Sequence, residues 1–149
     1  MRLYIDLNCF NRPFDDQTQE RIRRETEAVY EILQRIVRGE DTLLWSWVIA
    51  YENDKHPILE RRDEIALWER RGIQTIAPTP NLQERARQLT QLGISALDAA
   101  HLASAESGKA EIMLTCDDVL LRRARRPTLG VTLRLMNPVA YLQLVNTDG

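Results

Sequence analysis

The sequence has few of the residues that build disulfide frameworks and soft-metal sites. Its cysteines are Cys9 and Cys116, its histidines are His56 and His101, and no CxxC or HExxH spacing occurs. Two cysteines cannot form a disulfide framework, and a structural zinc site requires more nitrogen and sulfur ligands than these positions supply. We therefore expect free thiols in a reducing compartment.

Long apolar runs and a strongly basic composition are also missing. No stretch reaches the ~18–20 apolar residues that cross a bilayer, and the apolar start of the chain is interrupted at Asp6, too early for a secretory signal. We therefore expect a cytoplasmic protein with no membrane partner. The formal net charge of −2 at pH 7 differs from the basic character of proteins that coat nucleic acid.

The sequence does contain a regular succession of apolar runs and amphipathic segments. The apolar runs predict five strands, at residues 2–7, 42–45, 73–77, 111–115 and 130–135. Helical spacing predicts helices at 17–38, 47–55, 58–71, 81–92, 95–107, 118–126 and about 137–145, with a loop at 8–16. This alternation is typical of an α/β three-layer sandwich with a five-stranded parallel sheet. We expect one domain over residues 1–145 and a frayed tail over 146–149.

Acidic residues follow the predicted strands at the edge where an open parallel sheet binds its ligands. Asp6 ends the first strand and Asp117 follows the fourth. If these two strands are neighbours, their carboxylates lie side by side. Glu52 closes an apolar run after the second strand, and Asp98 lies on a helix that is apolar nearly all round. A carboxylate in such surroundings is unfavourable unless it is paired or hydrogen-bonded.

Each acid also has an ordinary structural role available to it. The alternatives are turns at Asp6 and Asp117, an N-cap at Asp118, a capping box of Ser95 with Asp98, and a surface pair of Glu52 with Lys55. Because all four acids map to one edge of one sheet, a shared role is favoured. Clustered carboxylates raise each other's pKa, and a hard cation such as Mg²⁺ or Mn²⁺ compensates them through oxygen ligands. Such an ion promotes the attack of water on a phosphodiester.

Four short motifs occur in order along nearly the whole chain. They are Asp6-Leu7-Asn8, the segment from Ser46 to Glu52, Leu97-Asp98-Ala99-Ala100 and Leu114-Thr115-Cys116-Asp117. In order and spacing they resemble the PIN-domain ribonucleases, and among these the VapC-type toxins of bacterial toxin–antitoxin pairs. The resemblance implies a magnesium- or manganese-dependent endoribonuclease that hydrolyses RNA, a homodimer, and an antitoxin protein that blocks the site.

The resemblance assigns the four acidic positions of the family to Asp6, Glu52, Asp98 and Asp117. We expect Asp6, Asp98 and Asp117 to hold the metal ion or its bound waters. Glu52 is expected to complete the shell and to orient the attacking water. The attack on phosphorus is then in line and needs no covalent intermediate.

The resemblance also implies supporting roles and shows two departures from the family pattern. The supporting polar positions fall on Asn8, Ser46 and Thr115. Asn53 follows Glu52 at a place where an apolar residue is usual. Asp118 adds a second carboxylate beside Asp117, which leaves open which of the two faces the metal.

Weaker signals lie close to these motifs. His101 follows Asp98 by three residues and shares its helix face, and we expect a core histidine there rather than a contact with substrate. Cys9 and Cys116 adjoin site acids, but a nucleophilic thiol needs a close base that the sequence does not indicate. Arg122 begins an arginine-rich run that either holds the RNA backbone at the rim of the site or forms a solvated helix face.

Other functions compete with the nuclease. A phosphatase or dehalogenase with an aspartyl nucleophile usually has a DxD-type loop and a nearby lysine. Here Asn8 takes the second position after Asp6, and the only lysines are Lys55 and Lys109. A receiver domain is disfavoured by the same lack of a suitable lysine. A non-catalytic PIN-like binding module stays open, although the presence of all four acids favours the enzyme.

Overall fold

Five parallel strands form one sheet in the computed structural model, which describes residues 1–148. The strands are β1 (Arg2–Ile5), β2 (Thr42–Ser46), β3 (Gly72–Ile76), β4 (Ile112–Leu114) and β5 (Arg134–Met136). Their order across the sheet is β3-β2-β1-β4-β5, and every neighbouring pair is parallel. β1 therefore lies beside β4, which is the adjacency that the predicted carboxylate cluster requires.

Helices flank the sheet, which confirms the predicted α/β architecture. The α-helices of residues 1–148 are α1 (Leu7–Asn11), α2 (Glu20–Val37), α3 (Trp47–Asp54), α4 (Leu59–Ala66), α5 (Pro80–Gln91), α6 (Ala96–Ser107), α7 (Asp118–Ala124) and α8 (Pro138–Asp148). Short 3₁₀ helices cover Arg12–Phe14, Leu67–Arg71 and Pro127–Leu129. Because the strand order reverses after β3, right-handed connections place α1–α4 and α5–α7 on opposite faces, and α8 returns to pack against α2. Within the described residues, no helix has both the length and the apolar character needed to cross a membrane.

The central strands are buried on both faces. The side chains of Tyr4, Leu44, Trp45 and Met113 are at most 1% exposed, and Phe10 packs edge-on against Trp45. Burial on both faces explains why the strand sequences lack two-residue alternation. This packing fixes the carboxyl ends of β1, β2 and β4 beside one another, and the residues that follow these strands form the candidate site.

The predicted loop over residues 8–16 was wrong, since α1 and a 3₁₀ helix occupy most of it. Leu7, Cys9 and Phe10 are buried along α1. Their burial stabilises a short helix that the local asparagines and proline did not indicate, because tertiary packing overrides weak local propensity.

Two boundaries near the end of the chain also differ from those predicted. β5 begins at Arg134 rather than at residue 130, because Gly130 has a left-handed backbone (φ +64°) and ends a 3₁₀ turn first. α8 continues past the predicted end at residue 145 to Asp148, and Thr147 Oγ1 donates a hydrogen bond to the Gln143 carbonyl within it (2.7 Å). The predicted tail is therefore helical up to Asp148, and Gly149 lies outside the described residues.

Candidate active site

Acidic side chains from four segments line one cleft of about 400 Å³ at the carboxyl edge of the sheet. They are Asp6 after β1, Glu52 on α3, Asp98 in the first turn of α6, and Asp117 after β4. The other lining residues are Leu7, Asn8, Asn11, Lys55 and His56. The four predicted acids therefore share one cleft. The pairing of β1 with β4 brings Asp6 and Asp117 together, and the Asp6 backbone N–H extends this pairing by donating to the Leu114 carbonyl (2.9 Å).

Asp6 is the most buried of the four acids, with 5% of its surface exposed. Its Oδ2 accepts hydrogen bonds from Asn8 Nδ2 (3.1 Å) and Thr115 Oγ1 (2.9 Å). Its Oδ1 lies 3.9 Å from His101 Nε2. One oxygen is thus held by neutral donors, while the other stays available for a cation.

Asn8 and Thr115 form a network that joins the ends of β1 and β4. Asn8 Nδ2 donates to Thr115 Oγ1 (3.1 Å), and Asn8 Oδ1 accepts from the Cys116 backbone N–H (3.0 Å). Thr115 Oγ1 also accepts from the Asp117 backbone N–H (3.2 Å). The hydroxyl of Thr115 therefore connects the Asp6 carboxylate to the backbone N–H of Asp117.

Asp117 and Asp118 have different surroundings. Asp117 lines the cleft, and its Oδ1 caps α7 by accepting from the backbone N–H groups of Val119 (2.9 Å) and Leu120 (3.2 Å). Asp118 is exposed, and both its oxygens accept from the Arg21 guanidinium at 2.7 Å. Asp117 is therefore the cleft residue of the pair, and the N-cap considered for Asp118 belongs to Asp117.

Asp98 combines a capping position with a place in the cleft. Its backbone N–H donates to Ser95 Oγ (3.3 Å), and its half-buried carboxylate lines the cleft. The helix is apolar nearly all round, but its first turn is not buried, since Ala96 and Leu97 are exposed. Burial along α6 begins at Ala99, so Asp98 lies at the boundary between the exposed first turn and the buried part of the helix.

Glu52 does not form the surface pair with Lys55 that was considered as an alternative. Lys55 Nζ donates instead to the Tyr51 hydroxyl (2.5 Å). Glu52 Oε1 lies 3.3 Å from His101 Nε2. The unusual Asn53 is buried, and its Nδ2 donates to the Arg62 carbonyl (2.9 Å), which ties α3 to α4.

His101 is a buried residue, as expected, and it also contacts the site acids. It is 1% exposed, and its Nδ1 lies 2.7 Å from the Tyr4 hydroxyl. Burial alone would lower the pKa of His101, but the hydrogen bond with Glu52 and the charges of Asp6 and Glu52 outweigh it and raise the pKa. The spacing from Asp98 indicates only a shared helix face, and it does not identify Tyr4 or Glu52 as the partners of His101. Ser46 is fully buried and reaches His101 only through Tyr4 (2.7 Å).

Crowding of carboxylates shifts pKa values in the cleft. Burial raises the pKa of Asp6, and the charges of Glu52 and Asp98 add to this effect, while His101 opposes it. Burial, together with the charge of Asp117, also raises the pKa of Asp98. The ionised carboxylates therefore lack a compensating positive charge, which a bound cation would supply.

Comparison with known proteins gives the family and the fold. The sequence matches the PIN domain family over residues 3–126. The chain belongs to the PIN domain family. No curated protein matches the sequence. The fold is similar to a chain of VapBC2 from Rickettsia felis, solved bound to a DNA fragment from their promoter, with 15% identity and a TM-score of 0.58 over 92% of this chain and 98% of that one. A chain of VapBC-1 from nontypeable Haemophilus influenzae is similar, with 15% identity and a TM-score of 0.58 over 93% and 98%.

The donor set of this PIN domain fits a divalent cation. Three potential ligand atoms, one each from Asp6, Glu52 and His101, lie within 4.8 Å of one another. Asp98 and Asp117 add carboxylates to the same cleft. Carboxylate oxygens are the ligands that hard divalent cations such as magnesium and manganese prefer. The tightest group thus includes Glu52 and His101, which were not among the predicted metal ligands.

The arginine-rich run of this PIN domain lies away from the acids. Arg122 is exposed and is not among the described residues that line the cleft. Arg125 and Arg126 line a separate groove beside β5. α7 begins at Asp118, directly after its N-cap Asp117, and carries the run away from the carboxyl edge. The structure therefore favours the solvated helix face over the rim of the site for Arg122.

The two cysteines of the PIN domain are free and buried. Cys9 Sγ and Cys116 Sγ lie 3.8 Å apart. Burial raises the pKa of the Cys9 thiol well above its ordinary value, and the neighbouring Cys116 adds to the effect. A buried thiol with a raised pKa is a poor nucleophile, which disfavours cysteine chemistry at this site.

Proposed function

We propose that this protein is a metal-dependent endoribonuclease that hydrolyses RNA phosphodiester bonds. The observation that carries the proposal is the convergence of four carboxylates from distant segments in one cleft. Two of them have raised pKa values, and Lys55, the lysine of the cleft lining, is engaged with Tyr51. A divalent cation would supply the missing positive charge.

The chain offers specific groups to hold that cation. Asp6 Oδ1, which accepts no hydrogen bond from Asn8 or Thr115, would bind it together with Asp98 and Asp117. When bound, Mg²⁺ or Mn²⁺ polarises a phosphoryl oxygen and lowers the pKa of a coordinated water. Asn8 and Thr115 keep the Asp6 carboxylate in place through Oδ2, so that little reorganisation is needed when charge develops.

The remaining groups of the cleft act on water and RNA. Glu52 would orient the attacking water and accept its proton. The water oxygen forms a bond to phosphorus, the P–O bond to the departing sugar breaks, and that sugar oxygen takes up a proton. Lys55 and His56 also line the cleft and would contact the RNA backbone.

The decisive experiment compares neighbouring acids with and without metal. Purified protein is incubated with mixed RNA and Mn²⁺, with EDTA in a parallel reaction. We expect cleavage by the wild type and by Asp118→Asn, whose carboxylate lies outside the cleft, and none by Asp6→Asn or after chelation. Cleavage that is indifferent to EDTA would contradict the metal-dependent mechanism. An inactive wild type that still binds RNA would favour the non-catalytic binding module.

We also propose that the protein is a VapC-type toxin with an antitoxin partner, acting as a homodimer in the cytoplasm. The likeness in fold to chains of VapBC assemblies supports this proposal. The genomic test is a short reading frame that overlaps upstream. The biochemical test is co-purification of its product with the full chain and loss of RNA cleavage in the complex, with the dimer measured by light scattering.

A further inference from the structure

A second groove, called here the β5 groove, lies along the edge strand β5. Its volume is about 530 Å³, and it is lined by residues of α7, of the segment between α7 and β5, of β5 itself and of the start of α8. None of these residues lines the cleft that contains Asp6 and Asp117. The β5 groove is therefore separate from the proposed nuclease site.

The backbone of β5 has a free side. β5 forms one edge of the sheet, and the Met136 carbonyl accepts from the Thr115 backbone N–H (3.0 Å) on the β4 side. In a parallel pair every second residue of a strand bonds to the same neighbour, so the N–H and C=O of Leu135 point away from β4. Neither group has a hydrogen-bond partner among the described residues. β5 therefore presents a free donor and a free acceptor to a further strand.

Apolar side chains are only partly covered beside this free edge. Val131, Leu133 and Leu135 line the β5 groove and are partly buried, whereas every side chain of the neighbouring strand β4 is buried. An extended peptide that adds to a sheet edge pairs with the free backbone groups and places alternate side chains against such apolar positions. The groove thus has the two features that bind a peptide strand.

Positive charge surrounds these apolar side chains. Arg125, Arg126 and Arg134 line the groove and are exposed, and within residues 1–148 none of the three forms a salt bridge. Residues 119–147 contain five arginines and no aspartate, glutamate or lysine, in a chain whose net charge is −2. A guanidinium group binds a carboxylate through two parallel hydrogen bonds, so the charge favours an acidic partner.

Two other occupants fit the β5 groove less well. Single-stranded RNA would match the charge, but proteins hold such RNA largely by stacking its bases on aromatic side chains, and none of the described lining residues is aromatic. A second copy of the chain would pair edge to edge about a two-fold axis, which brings the Arg134 side chains of both copies towards each other. An acidic peptide meets neither difficulty.

We propose that the β5 groove binds an extended, acidic segment of a partner protein as an added β-strand. The backbone of this segment pairs with the N–H and C=O of Leu135. Its apolar side chains cover Val131 and Leu133, and its carboxylates bind Arg125 and Arg134. The inference goes beyond the proposed function, because it assigns a partner surface that shares no lining residue with the acidic cleft.

The first test measures peptide binding to the full chain by fluorescence anisotropy, with EDTA present. The probes are fluorescein-labelled peptides of about eight residues, a usual strand length, that alternate glutamate with valine, leucine or phenylalanine. We expect at least one of them to bind the wild type, and Arg125→Glu/Arg134→Glu to weaken its binding at least ~10-fold, because attraction becomes repulsion. Peptides with lysine in place of glutamate should not bind. Failure of the whole acidic set to bind the wild type would overturn the proposal.

Arg70→Glu/Arg71→Glu is the matched control. It makes the same change of net charge at two exposed arginines that directly precede β3, the strand at the other edge of the sheet. All four substituted side chains are exposed, and circular dichroism checks that both double variants are folded. We expect the control to bind the peptide like the wild type. An equal loss in the two double variants would show that overall charge, rather than the β5 groove, attracts the peptide.

Amide hydrogen exchange tests the added strand directly. In the ¹⁵N-labelled chain, we expect saturating peptide to slow exchange of the Leu135 N–H at least ~10-fold, because it becomes hydrogen-bonded. The Met136 N–H faces β4 and should change little. A peptide that binds without protecting Leu135 would overturn the proposed strand addition.

Competition and mass measurements separate the peptide from the other occupants. A single-stranded oligouridine of similar length, kept intact by EDTA, should not displace the peptide, and displacement at equal concentration would assign the groove to nucleic acid instead. Light scattering should give the same mass for the wild type and Arg125→Glu/Arg134→Glu, and a lower mass for the variant would assign the β5 edge to a second copy. These tests measure no cleavage, so a protein that does not cleave RNA would overturn only the proposed nuclease.

Discussion

The hydroxyl of Thr115 donates a hydrogen bond of 2.9 Å to Asp6 Oδ2, across 109 positions of sequence. Thr115 is fully buried. Its Oγ1 also accepts hydrogen bonds from Asn8 Nδ2 and from the Asp117 backbone N–H. One hydroxyl thus links the two acids that follow β1 and β4. Its removal affects both the fold and the geometry of the cleft.

We expect Thr115→Val, which keeps the side-chain shape, to lower the free energy of unfolding by ~1–3 kcal/mol, because buried polar groups lose their partner. Cleavage should fall as well, since the Asp6 carboxylate loses one of its two donors. Urea denaturation and RNA cleavage measure the two effects. Thr115→Ser retains the hydroxyl and should stay close to the wild type; if Ser and Val variants behave alike, the hydroxyl has no such role.

Asp6→Asn should abolish cleavage without destabilising the metal-free protein. Burial raises the pKa of Asp6, so the ionised form is disfavoured in the folded state, and stability falls as the pH rises through the unfolded value of about 3.9 towards the higher folded value. An uncharged amide removes this penalty. We expect cleavage to fall by more than ~100-fold, a larger loss than follows from removing a group that only hydrogen-bonds to a metal ligand. We expect the Tm to be equal or higher. Parental cleavage would contradict Asp6 as a ligand.

Mn²⁺ should stabilise the wild type, because an ion that binds only the folded state shifts the unfolding equilibrium by ~2.7 kcal/mol at 100 times its Kd. Unfolding in urea with Mn²⁺ and with EDTA measures this difference. Asp118→Asn, whose carboxylate pairs with Arg21 outside the cleft, should show the same stabilisation. Asp6→Asn should show little, and equal stabilisation of all three proteins would place the ion elsewhere.

Asp41 provides a pH-dependent contribution to stability that is remote from the cleft. Its buried carboxylate accepts from Arg35 Nε (2.8 Å) and the Tyr141 hydroxyl (2.8 Å). Burial would raise its pKa, but the hydrogen bonds from these partners outweigh burial and lower it. A lowered folded pKa stabilises the protein above the unfolded value of about 3.9, and the contribution is lost as the pH falls through the folded value.

We therefore expect Asp41→Asn to lower the free energy of unfolding by ~2–4 kcal/mol near pH 7, because Arg35 is left without its buried partner. The difference from the wild type should shrink below about pH 4. Urea denaturation over a pH series tests this expectation. Asp118→Asn, which breaks an exposed ion pair, should change stability little at any pH. A constant difference for Asp41→Asn across the series would contradict the linkage.

The choice between Asp117 and Asp118 shows where inference from the sequence stops. Both carboxylates follow β4, and either suits a cap or a ligand by residue type. Arg21 decides the outcome by binding Asp118 from α2, 97 positions away, which leaves Asp117 to line the cleft. His101 is similar, because its spacing indicates a shared face with Asp98, whereas its hydrogen bonds are made with Tyr4 and Glu52 on other elements.

The sequence by itself determined most of the strands and helices, the parallel α/β class and the four acids at strand and helix ends, because hydrophobic period and capping residues act over a few positions. The tertiary structure alone decided the strand order that brings Asp6 beside Asp117, the helix at Leu7–Asn11, and the burial of His101 against Glu52. These features depend on packing between segments far apart in the chain, and local patterns carry little information about which distant side chain supplies the partner.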